Sequence, residues 1–365
     1  MIVWIGFFVL IFIFLALDLG VFNKEAHKIS TREALRWTTL WVGTSLLFSV
    51  FIFFSYENHW LGIGEEIGHD VGGTKAAITY LTGYIIEQSL SMDNIFVIAV
   101  IFSYFHIPQQ YQHRVLFWGI LGALIFRGIM IWAGAYLVER FDVVTYIFGA
   151  ILLWTAYKML KSDSDQIHPD QNPVVLQLRK ILPVTKSLRK EQFFIKRNGK
   201  ILAMTPLFVA LVVVETTDVM FAFDSIPAIF AITTDPFLVF TSNIFAILGL
   251  RSLYFVLASI LDKFEYVKYS LAAILAFVGI KMLFLHQVEM PEWVSLAVII
   301  VLMGGGILIS WLAEKREEKK QLRIGKERRN TKNPKPNNHK DSLKSPKYGP
   351  KKIGAFWQSD KPESI

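Results

Sequence analysis

Five acids stand inside apolar runs of this chain. Glu87 and Asp93 lie in one run, at about residues 76–103, and Glu215, Asp218 and Asp224 lie in another, at about 203–232. An ionisable side chain at the centre of a bilayer costs about 3 kcal/mol on insertion scales, so it needs a partner, a wet cavity or a function. Five carboxylates meeting in lipid would form a concentrated negative site that a cation relieves. Hard oxygen donors favour Mn²⁺, Mg²⁺ or Ca²⁺ over softer metals, and the side-chain oxygens of Gln88, Asn94, Thr217, Ser225 and Asn243 are available to complete such a shell. The chain has no Cys, and each of its 8 His falls in a connection, the tail or a helix end. A thiolate or zinc-type histidine site is therefore not expected.

Helix geometry limits how these acids can meet. Glu215 and Asp218 are three apart and share a face. Glu87 and Asp93, like Asp218 and Asp224, are six apart, which is about 120° around an ideal helix and about 9 Å along it. Pro227 lacks an N–H and clashes with the carbonyl of Phe223, so a kink is expected in that run. The run carrying Glu87 has no proline. Two separated acidic layers, occupied in turn, fit the spacing without any kink. Arg127 and Arg251, also in apolar runs, are expected as charge partners, but two arginines cannot neutralise five acids. Asp18, near the end of the first run, is expected at the interface, with a pathway role as the alternative.

The elements that position these groups follow from composition. Of 365 residues, 53% are hydrophobic and only 19% charged, whereas soluble domains carry roughly 25% charged residues. Nine apolar segments stand out, at about 2–22, 36–55, 76–103, 115–137, 143–160, 203–232, 237–258, 267–285 and 293–312. Each is long enough to read as a bilayer span. The expected fold is thus an all-α polytopic membrane protein with about nine transmembrane helices. Ser30 and Glu33 have capping-box spacing and begin the second helix.

An internal repeat organises the core. Residues 84–96 can be laid on 215–227 at an offset of 131, which pairs Glu87 with Asp218, Asp93 with Asp224 and Asn94 with Ser225. Further on the offset falls to about 124; Arg127 then pairs with Arg251, and the Lys-Met-Leu at Lys158 with that at Lys281. Each unit, about 76–160 and 203–285, is three spans long. Because three is odd, the units cross in opposite directions, the inverted duplication of secondary transporters.

The charge balance divides along the chain. From Glu314 onward there are 16 Lys or Arg against 7 Asp or Glu, so the net +8 belongs to the tail. Residues 314–365 are expected to be a basic, disordered tail that meets anionic lipid, with no specific nucleic acid implied. Residues 161–200 form a basic connection, and 1–313 the transporter domain. Lys and Arg concentrate in the first, third and fifth connections and the tail, while Glu57, Glu65, Glu66 and Asp70, then Glu289 and Glu292, mark the opposite side. The positive-inside rule then places the N-terminus outside and the C-terminus in the cytoplasm. No nucleophile, base and orienter appear together, so an enzyme is not expected.

The segments at Glu87 to Asn94 and Glu215 to Pro227 resemble the signature segments of the TerC family, most closely its Alx-type bacterial members, and the likeness extends over about residues 1–312. The family is similar to the LysE-type transporters. The resemblance implies export of Mn²⁺ across a bacterial inner membrane, with no permanently bound cofactor. It assigns pathway roles to Glu87, Asp93, Asn94, Glu215, Asp218, Asp224 and Ser225. Proton exchange through closely spaced acids is the expected coupling. The alternative is an assembly factor for other membrane proteins, acting through the basic connection and tail.

Overall fold

The computed structural model describes residues 2–20, 30–161, 172–185, 188, 191–197, 200–257, 267–284 and 290–332. Helices occupy every expected apolar segment. They are α1 (Ile2–Gly20), α2 (Thr31–Glu57), α3 (Gly73–Tyr104), α4 (Gln109–Arg140), α5 (Asp142–Lys161), α7 (Pro206–Phe230), α8 (Pro236–Leu257), α9 (Val267–Leu283) and α10 (Glu292–Lys332). Seven described helices are long and apolar enough to cross a membrane: α2, α3, α4, α5, α7, α8 and the 292–313 part of α10. The apolar stretch of α1 (Ile2–Leu17) is shorter, and α9 has 17 residues. At the expected capping box the Ser30 hydroxyl accepts the Glu33 N–H at the start of α2.

Three features depart from the sequence reading. The basic connection holds a short amphipathic helix, α6 (Pro173–Ile181), and leads into a two-stranded hairpin of β1 (Phe194–Arg197) and β2 (Lys200–Met204), a small addition to an all-α fold. The hairpin takes residues assigned to the start of the sixth span, and α7 begins only at Pro206. Proline at the first turn fits there because its missing N–H is one the helix would leave unpaired anyway. Finally, α10 runs on to Lys332, where the sequence reading has a disordered tail from 314. Glu, Lys, Arg and Gln dominate that stretch and are good helix formers.

The chain forms two compact units, Met1–Lys315 and Arg316–Ile365. Within the first, α3 packs on α8 and α7 on α4, so matching helices of the two sequence repeats make matching pairings; α5 packs along α9. Gly149 and Gly279 permit that last approach, since a Cβ on either would come within about 3.2 Å of the other's carbonyl oxygen. Two hydrophobic clusters lie along the bundle. Along α3 the chain passes from the first cluster (to Ile86) into the second (from Ile95); along α7 it passes from the second (to Val214) into the first (from Ala222). The polar residues lie between the clusters on both helices, which cross that layer in opposite chain directions.

Asp235 fixes one end of the bundle. Its fully buried carboxylate accepts the N–H groups of Phe237 (2.9 Å) and Leu238 (3.1 Å) at the start of α8, the Tyr56 hydroxyl (2.8 Å) and the His69 N–H (2.7 Å). It thereby ties the end of α2 and the following connection to α8. Gly68, at φ +81°, lets the backbone pass beside this carboxylate, where a Cβ would collide with it. Asp235→Ala removes the cap, frees the His69 N–H and strands the Tyr56 hydroxyl in the interior. The expected loss is about 3 kcal/mol, read by thermal unfolding in detergent, with a smaller loss for Asp235→Asn.

Candidate functional site

Arg127, in the middle of α4, is the hub of the polar layer and is only 2% exposed. Its Nη1 donates to Glu87 Oε1, to Ser225 Oγ at 3.2 Å and to Asn243 Oδ1 at 3.3 Å. Its Nη2 and Nε donate to the two oxygens of Asp218 at 3.4 and 3.5 Å. The planar guanidinium suits this task because its fork presents several donors at fixed angles. Asn94 adds a 2.8 Å bond from Nδ2 to Asp218 Oδ1, and Ser91 donates to Glu87 Oε1 at 3.3 Å. Glu87 and Asp218, which the sequence repeat pairs, thus meet on one cation.

Three oxygens of this neighbourhood remain unsatisfied: Glu87 Oε2, Asn94 Oδ1 and Glu215 Oε2 are buried with no hydrogen-bond partner. Gln88 Oε1 is a fourth. Buried polar atoms normally find partners, so several orphaned acceptors in one layer are a departure that requires a reason. Glu215 is held against α4 at Gly122, where a Cβ would fall on both of its carboxylate oxygens. A small void of about 20 Å³ adjoins the hub, lined among others by Asn94, Gly119, Asp218 and Arg251. That is roughly room for one water.

The other two acids lie elsewhere. Asp224 accepts a 2.8 Å bond from Thr155 on α5 and has Lys158 as an electrostatic neighbour. Asp93 has Lys268, at the start of α9, as its electrostatic neighbour. The six-residue spacing explains the split: each helix aims one acid at Arg127 and swings the other to the third helix of the opposite sequence unit. The expectation that all five acids converge is therefore corrected to one central pair, Glu87 and Asp218, with Glu215 beside Asp218, and two flanking positions. Among the described residues no group of three or more His, Asp and Glu is placed to hold a metal ion. The expected charge surplus also shrinks, because Lys158 and Lys268 join the two arginines. Lys158 was visible in the Lys-Met-Leu repeat; Lys268, at a helix start outside the repeated motif, gave no signal.

Of the remaining expected residues, Asn243 and Ser225 are at the hub, and Arg251 is buried and lines the void together with Asp218 and Asn94. Thr217 donates its hydroxyl to the Val213 carbonyl. Asp18 lies in α1, but its side chain is outside the described residues. At Pro227, where a kink is expected, α7 continues as one helix to Phe230, so the proline sits in its last turn, where little helix remains to be bent. Sequence reasoning missed Gly122, whose role depends on a neighbour remote in sequence. It also missed Asn172, which caps α6 and donates from Nδ2 to Thr216 Oγ1 at 2.8 Å, docking the basic connection next to Glu215.

Long apolar helices around a buried polar layer define a polytopic α-helical membrane protein. The chain matches the family of TerC integral membrane proteins over residues 72–318, and it belongs to that family. It is 48% identical over 307 residues to an uncharacterized membrane protein of Myxococcus xanthus, covering 84% of this chain and 91% of that one. It is 43% identical over 319 residues to a protein of Escherichia coli K12 named a putative membrane-bound redox modulator, Alx, covering 87% and 97% respectively. The Alx protein of Salmonella typhi is likewise 43% identical over 318 residues. No solved structure matches the chain.

Proposed function

We propose that this protein is a secondary transporter that exports a divalent cation, manganese in preference, from the cytoplasm across a bacterial inner membrane, in exchange for protons. It is not an enzyme in this reading. The observation that carries it is the orphaned oxygen set: Glu87 Oε2, Asn94 Oδ1 and Glu215 Oε2, all buried and without partners, beside an acid pair. Only oxygens are offered, the donor type that hard divalent ions take. The matching pairings of α3 with α8 and α7 with α4, and the opposite passage of α3 and α7 through the polar layer, support an inverted repeat of two three-helix units. Transport sites in such folds lie at the repeat interface. Residues 1–313 then form the transport domain, with N-terminus outside and C-terminus inside. Residues 161–200 and 314–365 form its basic cytoplasmic segments and meet anionic lipid.

The central pair and the two flanking acids give an ion three successive stations. Asp93 and Asp224, each with one lysine for company, are the entry and exit positions. Vesicles reconstituted with the purified chain, with Mn²⁺, Mg²⁺, Ca²⁺ and the pH gradient varied separately, test the whole reading: no flux of any of the three ions would remove it. In cells loaded with manganese, Asp93→Asn and Asp224→Asn should each raise the cytoplasmic level severalfold above wild type. Unchanged levels would take those two acids off the path.

A further inference from the structure

The partners of Arg127 are Glu87, Asp218, Ser225 and Asn243. The sequence repeat maps Arg127 onto Arg251, and maps these four partners onto Asp218, Glu87, Asn94 and Gly119. Asn94, Gly119 and Asp218 all line the void that Arg251 also lines. The second arginine therefore borders the mirror image of the cradle that the first one fills. Two further observations mark this place as prepared for a donor. Asn94 Oδ1, equivalent by repeat to the Ser225 oxygen that accepts from Arg127, is buried without a partner, and so is Glu87 Oε2. Gly119 stands where the repeat has Asn243, so space replaces a side chain.

The surroundings are asymmetric in the same sense. Ile98, Leu116 and Val214 line the void on the Arg251 side. Their equivalents Ile229, Phe240 and Gly83 are packed shut: a Cβ on Gly83 would come within 2.8 Å of Ser242 Oγ and 3.2 Å of Ile229. Both sides are buried, with Leu116 3% and Phe240 8% exposed, but the void lies on the Arg251 side, the kind of difference that two access states of an inverted-repeat carrier would exchange.

We propose that Arg127 and Arg251 are exchangeable tethered cations, each holding the Glu87–Asp218 pair in one of two access states, with the transported ion taking the pair between them. This rests on the transporter reading and its inverted repeat. The physics concerns the empty carrier. Two bare carboxylates in a dry layer carry a charge cost that would stop the protein from switching without cargo. A bound arginine removes half of that charge, and a divalent ion removes all of it, so the ion can displace the arginine. Arginine suits the task because it cannot lose its proton.

The chain has no cysteine, so single reporters are free of background. Leu116→Cys and Phe240→Cys, equivalent positions on the two sides, are labelled in reconstituted vesicles with a membrane-impermeant maleimide. R127Q should favour the state held by Arg251, raising Phe240→Cys labelling relative to Leu116→Cys by about tenfold or more. R251Q should leave or strengthen the opposite pattern. If R127Q fails to fold, R127K, which keeps charge but cannot fork between two carboxylates, should shift the ratio in the same direction. Ratios that move the same way in both variants, or in neither, overturn the exchange. Manganese flux in the same vesicles separates the two claims. Reciprocal labelling without flux keeps the exchange and removes the metal reading, whereas flux without reciprocal labelling keeps transport and removes the exchange.

Discussion

Cells carrying Asp218→Asn as their sole copy should lose manganese export by tenfold or more and accumulate the metal on loading. Asp218 accepts from Arg127 Nη2 and Nε and from Asn94 Nδ2, so it touches two of the groups that define the central layer. Asparagine keeps the shape and removes the charge. Stripping a buried ion pair of one partner costs about 3 to 5 kcal/mol; because Glu87 still holds Arg127, the loss here should be nearer 2 kcal/mol. Stability loss alone must be separated from loss of function. Asp235→Asn provides the control, since it weakens a buried carboxylate anchor at the start of α8, about two helical turns from Asn243, that does not contact Arg127, and it should leave export intact. Glu87→Gln should behave as Asp218→Asn does. Export at the wild-type rate in either central variant would show that the pair is a structural tie and that ions pass elsewhere.

The helices were legible in the sequence because lipid demands long apolar segments with internally satisfied backbones, and each of the nine runs is a helix. The hairpin at Phe194–Met204 was not legible, because only Thr205 separates its apolar second strand from α7, so the two read together as the start of a span. At the site, the repeat lays Glu87 on Asp218, and both lie on Arg127; Arg127, Asn94 and Ser225 are also repeat positions, while Asn243 was a candidate for its side-chain oxygen alone. What failed was the step from buried acids to one shared cavity. The 120° that separates Glu87 from Asp93 on an ideal helix already argued against it. The structure follows that geometry, sending Asp93 toward Lys268 and Asp224 toward Thr155 and Lys158. Lys158 was read only as part of the repeat and Lys268 not at all, whereas the long stem of a lysine near a helix end lets it reach inward to a buried acid.

Gly122→Ala should push the Glu215 carboxylate away from its place against α4. The ideal Cβ at this position would fall on the Glu215 carboxylate itself, and α4 and α7 are packed along their lengths, so neither backbone has room to retreat. Over-packing of this kind costs about 1 to 3 kcal/mol, and here the group displaced is one of the three orphaned acceptors. Export should fall by about tenfold along with the unfolding temperature. The cause can be isolated by a double-mutant cycle. Glu215→Asp shortens the side chain by one methylene and should restore stability to Gly122→Ala, whereas Glu215→Gln, the same size as the native acid, should not. Export should follow stability only if the position of the carboxylate is immaterial; recovery of the fold without recovery of flux would mean that Gly122 serves to place the Glu215 oxygens where the ion passes. An alanine variant as stable and as active as wild type would sink the idea that Glu215 lies against α4 at all.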